Sequence, residues 1–189
     1  MKSGAFIKAV SQSYRVEEKT VTVYARFLRE AGLLTTGARG VNAPDMTPLD
    51  AARITIALLA TDMPSRCVEA VRRFAKLTYQ PDRSSGSHPS VLGVVEGVSL
   101  EQVLTNIFGA QLSEDPFGAA PYFEIQENAG SATIEHKGGH IYFRNTDRSE
   151  EEKAFERAHL FGIRRSRGVA SVEMLSVYVL LCPDFEEQH

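Results

Sequence analysis

Apolar positions in the first 80 residues recur with helical spacing, and those after residue 120 alternate. Phe6, Ile7, Val10 and Tyr14 fall at i, i+1, i+4 and i+8, one face of a 3.6-residue period, and predict a helix from Ser3 to about Tyr14. Val21, Tyr24, Ala25 and Leu28 form the stripe of a second helix over about 17–31. Gly32 stands at its C-terminal stop, and only Arg15-Val16 or so separates it from the first. Thr47-Pro48-Leu49-Asp50 supplies a capping hydroxyl, a proline at the first helical position and an acid three residues on. The strongly apolar run 51–60 continues that third helix through Ile54, Ile56, Leu58 and Leu59. Pro64 opens a fourth, with Val68, Val71, Phe74 and Ala75 inward.

Residues 80–90, Gln-Pro-Asp-Arg-Ser-Ser-Gly-Ser-His-Pro-Ser, are small and polar with two prolines, the composition of a linker. Beyond them Ser99-Leu100-Glu101-Gln102 is a capping box that opens a helix to about Phe108. Tyr122–Gln126 and Ser131–His136 alternate as strands, and Lys137-Gly138-Gly139-His140 turns the chain into a returning strand through Ile141, Tyr142 and Phe143. Residues 147–158 are charged and read as a helix or a loop, 161–169 add a strand, and 172–181 a closing helix. The expected organisation is a helical domain over 1–79, a linker over 80–90, and a small α+β domain with an antiparallel sheet over 91–189.

Composition narrows this picture. In 189 residues, 43% are hydrophobic and 24% charged, which excludes a mostly disordered, collagen-like or disulfide-stapled chain. The net charge of −3 hides an asymmetry. Residues 1–80 hold 12 basic and 7 acidic side chains, net +5; residues 81–189 hold 9 and 17, net −8. The basic front is the part suited to a polyanion. Cys67 and Cys182 lack metal spacing and read as buried small hydrophobes in a reducing compartment. The longest apolar run, 177–182, falls well short of the roughly 20 residues a membrane span needs. No apolar stretch near Met1 resembles a signal peptide, so a cytoplasmic protein is expected.

Chemistry concentrates in residues 3–43. On the second helix Lys19, Thr22, Val23 and Arg26 stand at i, i+3, i+4 and i+7, on a face other than the apolar stripe. Lysine and arginine donate to guanine or phosphate, threonine contacts either, and a valine methyl packs on thymine methyl, so this face suits a DNA major groove. Gly37-Ala38-Arg39-Gly40 is a narrow loop with one arginine at its tip, suited to the negative potential of a minor groove.

The succession Val16-Glu17-Glu18-Lys19-Thr20-Val21, Arg29-Glu30-Ala31-Gly32-Leu33-Leu34 and Gly37-Ala38-Arg39-Gly40 resembles the recognition helix and wing of GntR-type winged-helix bacterial regulators. The 1–77 block is also similar to N-terminal regions of prophage-type proteins. The resemblance covers about 40 residues. It departs at Glu17, where a capping serine is usual, and at Glu18, where a basic residue is usual. It implies a winged helix-turn-helix N-terminal domain whose three-helix core borrows the helix over 47–60. The implied DNA-binding set is Lys19, Thr20, Thr22, Val23, Arg26 and Arg29, with Arg39 on the wing; Arg29, one turn beyond Arg26, carries less weight.

His136 and His140 are expected to face each other across a three-residue loop. Glu135 would point to the opposite face, which leaves two imidazoles without a third ligand, and no metal is expected. Arg164-Arg165-Ser166-Arg167 is a basic run in an acidic half, expected to balance acids such as Glu150–Glu152 or to contact a partner. No paired acid–base or nucleophile motif argues for an enzyme, and no cofactor is implied. The expected function is sequence-specific binding of double-stranded DNA by a phage- or prophage-type transcriptional regulator that self-associates through its C-terminal half. The alternative is a phage DNA-packaging recognition subunit of small-terminase type.

Overall fold

The computed structural model describes residues 1–37, 44–88, 90–109, 122–127, 129–145 and 166–170. Among these it is a mixed α+β fold of five α-helices and an antiparallel sheet. The helices are α1 (Ser3–Tyr14), α2 (Glu18–Glu30), α3 (Pro48–Ala60), α4 (Cys67–Phe74, entered through a 3-10 turn at Pro64–Arg66) and α5 (Leu100–Gly109). The strands are β1 (Thr78–Tyr79), β2 (Ser85–Gly86), β3 (Tyr122–Gln126), β4 (Ser131–His136), β5 (Gly139–Arg144) and β6 (Ser166–Ala170). The expected segments 147–158 and 172–181 lie outside the described residues, as does Cys182.

α3 is the helix the others surround. Nine of its thirteen residues are buried, including Ala51, Ala52, Ile54, Ile56, Ala57, Leu59 and Ala60. Such burial on all sides requires neighbours on all sides. α2, α4 and α5 pack on it, as do β3 and β6. Polar bonds mark the approaches of α1 and α2: Tyr14 and Thr55 share a hydroxyl–hydroxyl bond of 2.7 Å, and the Tyr24 hydroxyl donates to the Thr61 carbonyl at 2.6 Å. Burial, with Asp62 nearby, pushes the Tyr24 phenol up to about 12.

The N-terminus of α3 is built on the expected cap and goes beyond it. Thr47 and Asp50 form a reciprocal capping box. The Asp50 carboxylate is only 2% exposed and accepts four hydrogen bonds. Oδ1 takes the Thr35 N–H at 2.7 Å. Oδ2 takes the Thr35 hydroxyl, the Thr47 N–H and the Thr47 hydroxyl at 2.8, 2.7 and 2.8 Å. A charge this deep is tolerable because donors replace its water.

The sheet runs β1-β5-β4-β3-β6, with β2 also on β5. Phe123, Ile125, Ala132, Ile134, Ile141 and Phe143 alternate inward and are buried. Within the stretch that is linker-like in composition, residues 80–88 lie along β5 and its hairpin. Thr78 and Tyr79 pair with Arg144 and Phe143, and Ser85 and Gly86 pair with His140 and Gly139. Polar composition gives this stretch no apolar anchor, but its backbone donors and acceptors find partners on an otherwise open edge. One cluster of buried apolar side chains extends on both sides of it, from Phe6 to Phe143.

The hairpin differs from expectation by one residue. The turn is Lys137-Gly138, His136 pairs with Gly139, and His140 lies opposite Glu135. A three-residue loop would have set the two histidines opposite each other; the two-residue turn shifts the register and separates them.

Asp50→Ala leaves the partly buried Thr35 and Thr47 N–H groups without their acceptor and removes the α3 cap. Urea denaturation is expected to show a loss of about 3 kcal/mol. Asp50→Asn is expected to recover only part of it, because one amide N–H must face a backbone donor.

Candidate nucleic-acid interface

α2 divides cleanly. Val21, Tyr24, Ala25 and Leu28 are buried, while Lys19, Thr22 and Arg26 are exposed and Thr20, Val23 and Arg29 are partly so. The expected face therefore looks outward, but its members are not equally available. The Thr22 hydroxyl donates to the Glu18 carbonyl at 2.8 Å, which leaves its lone pairs free to accept. Arg26 lies over the Phe27 ring and pairs loosely with Glu30 at 3.8 Å. Arg29 donates to Ser3 Oγ at 2.7 Å, and this bond ties α2 to the start of α1. Glu17 is the N-cap without a side-chain cap bond, and it and Glu18 are exposed at the positive end of the helix.

The α1–α2 turn is as short as expected. Arg15 closes α1 with a positive φ of 54°, a conformation that costs an L-residue energy and is usually given to glycine. The Ser11 hydroxyl donates to the Val16 carbonyl at 2.7 Å and secures the turn.

Ala38, Arg39 and Gly40 lie outside the described residues. Their flanks are well defined. Thr35 and Thr47 are both clamped on Asp50, and Gly37 sits so close to the Pro44 ring that a Cβ there would lie 2.6 Å from Cδ. The two ends of this loop thus meet over α3. Residues 31–37 and 44–47 contain no strand.

Periodicity marks only the inward side of α4. Its outward side carries Arg66, Arg72, Arg73 and Lys76, all exposed. Among the described residues no carboxylate lies within ion-pair distance of any of them. Arg66 and Arg73 border a shallow cleft with Glu69 and Glu127, beside Thr61 and Phe74. The signal was present in the sequence: four cations and one acid within residues 66–76. α4 and its 3-10 entry pack directly on α2.

Other expected groups are engaged or fall elsewhere. Arg167, on β6, pairs with Asp62 and donates to the Leu59 carbonyl at the end of α3; Arg164, Arg165 and Glu150–Glu152 lie outside the described residues. Cys67 is fully buried, and burial pushes its thiol up to about 11, the state of an inert core thiol. No group of three metal-ligating side chains occurs among the described residues. No described helix is long and apolar enough to cross a membrane. The chain matches no protein-family model, no curated protein and no solved structure.

These contacts separate the two arginines of α2. Arg29→Ala is expected to lower stability by about 1 kcal/mol in chemical denaturation, through loss of the α1 tie. Arg26→Ala is expected to change it by less than about 0.5 kcal/mol, as an exposed pair does.

Proposed function

We propose that this chain binds duplex DNA through its helical block, as a sequence-reading regulator of phage or prophage type with a winged-helix manner of docking. The observation that carries the reading is the row of exposed cations on and flanking α4, Arg66, Arg72, Arg73 and Lys76, with no described carboxylate within ion-pair distance; α4 packs on α2, whose Lys19, Thr22 and Arg26 face outward. The two helices divide the work. α2 bears Glu17, Glu18 and Glu30 beside Lys19 and Arg26, so its face contributes little net attraction to a polyanion but offers donors and a methyl group to base edges. α4 supplies the attraction, as a point of contact with the phosphate backbone. Arg39 adds a cation on the loop whose ends are clamped at Asp50.

The acidic half is the self-association element in this reading. The strand order supports it: the outer edge of β6 has no strand partner among the described residues, and an open edge is a template for pairing with a second copy.

The full-length protein is expected to bind genomic DNA fragments with an affinity that falls steeply with salt. Replacing Arg66, Arg72 and Arg73 together by Gln is expected to weaken binding to all sequences and flatten the salt slope by about 2–3 units. Arg26→Ala is expected to cost about 1–3 kcal/mol on a selected site and much less on random DNA. Fluorescence anisotropy over a salt series measures both. A folded protein with no salt-sensitive binding to any fragment refutes the reading.

A further inference from the structure

Three of the five histidines lie at the tip of the β4–β5 hairpin, where residues 83–88 cross it: His88 and His136 bond to each other, and His140 bonds to Arg83 and Ser85. Their hydrogen bonds assign the protons. The Gly138 N–H donates to His136 Nδ1 at 3.1 Å. A backbone amide can only donate, so Nδ1 is bare and His136 carries its proton on Nε2. That nitrogen lies 2.8 Å from His88 Nδ1, so His136 donates and His88 accepts. A second proton on either ring breaks a bond. On His136 it would point at the Gly138 N–H; on His88 it would point at the His136 N–H. His140 is held differently. Its Nε2–H donates to the Arg83 carbonyl at 2.8 Å, and its Nδ1 meets the Ser85 hydroxyl at 2.8 Å, a group that can rotate to donate or accept. The same tautomer argues against a metal here, since ligation through His136 Nε2 would require a proton on Nδ1, facing the Gly138 N–H.

Little else holds this end of the strap. Ser85, Gly86 and Ser87 are exposed and bury no apolar side chain. Their attachment is backbone pairing to β5, the Ser85 hydroxyl bond to His140 Nδ1 at 2.8 Å and the Ser87 N–H bond to the Gly138 carbonyl at 3.1 Å. The backbones touch: a Cβ on Gly86 would lie 1.7 Å from the Gly138 oxygen. Upstream, Arg83 stacks on Tyr142 and anchors the segment before it. The other groups around the pair are the Tyr79 ring, packed T-shaped on His88 with ring centroids 6.0 Å apart, the exposed Lys137 in the turn and the exposed Glu135 opposite His140.

We propose that the His88–His136 pair is an acid-released latch: a proton taken up by either ring frees residues 85–88 from the hairpin and uncovers the β5 backbone edge at Gly139 and His140. Burial first, then the neighbouring imidazoles, holds both rings below the ordinary histidine range. The opened segment therefore takes protons more readily than the closed one. Closure is fully favoured above about pH 6.5, the ordinary histidine value, and weakens as the pH falls below it. The latch does not depend on the DNA-binding reading.

Amide hydrogen exchange of the full chain at about pH 7.5 and about pH 5, expressed as protection factors, tests it. Ser87 and Gly138 are expected to lose protection about tenfold in acid, the effect of one lost hydrogen bond, while α3 amides keep theirs. In His136→Phe the acid response at Ser87 is expected to vanish, and His88→Phe serves as a second variant with the same expectation. The latch is overturned by unchanged protection in acid, by an equal loss throughout α3, or by an acid response that persists in both variants.

Discussion

Burial of α3 on every side is the constraint from which the rest of the architecture follows. Its alanines at 51, 52, 57 and 60 let neighbours approach closely, and its isoleucines at 54 and 56 fill the space between them. A helix that is apolar all round cannot rest on a surface; it needs other elements to wrap it. α2, α4 and α5 do so, together with β3 and β6. The polar groups that reach α3 do so at its ends or through paired contacts. Arg53 forms a two-point ion pair with Glu101 of α5, at 2.7 and 3.4 Å, and also donates to the Leu33 carbonyl. Arg167 closes the C-terminal end on Asp62.

Asp50 turns that buried helix into a fixed point for the chain on either side of residues 38–43. Its carboxylate draws in donors from Thr35, before the loop, and from Thr47, after it. The clamp thus links the core of the fold to the segment that carries Arg39.

Charge is distributed in a way that periodicity alone does not reveal. α2 presents polar variety with nearly balanced charge, whereas α4 presents unbalanced positive charge. Against DNA, attraction and reading are separable tasks, one proportional to phosphates neutralised and the other to hydrogen bonds in a groove. In the proposed DNA-binding reading these tasks fall to α4 and α2 respectively. The hairpin tip works by a different principle: a closed set of donors and acceptors with no rotatable hydroxyl between its two rings, which one extra proton is enough to break.

The sequence by itself determined the elements whose signals are local. The α1 stripe, the Thr47–Asp50 cap, the Ser99–Gln102 box and the alternation of β3 and β4 all depend on residues two to four positions apart, and each lies where the spacing put it. Which way α2 faces was legible too, since its buried and exposed residues follow one period. The tertiary structure decided everything that joins distant residues. Residues 80–90 look unstructured by composition, yet Ser85 and Gly86 pair with β5, because backbone hydrogen bonds leave no mark in side-chain chemistry. Spacing ranks Arg29 below Arg26 as a groove contact, but only the approach of Ser3 shows that the Arg29 side chain is tied to α1 while Arg26 stays exposed. His136 faces His88 rather than His140 because a two-residue turn moved the register by one position, and a period of two makes such a step reverse every side chain.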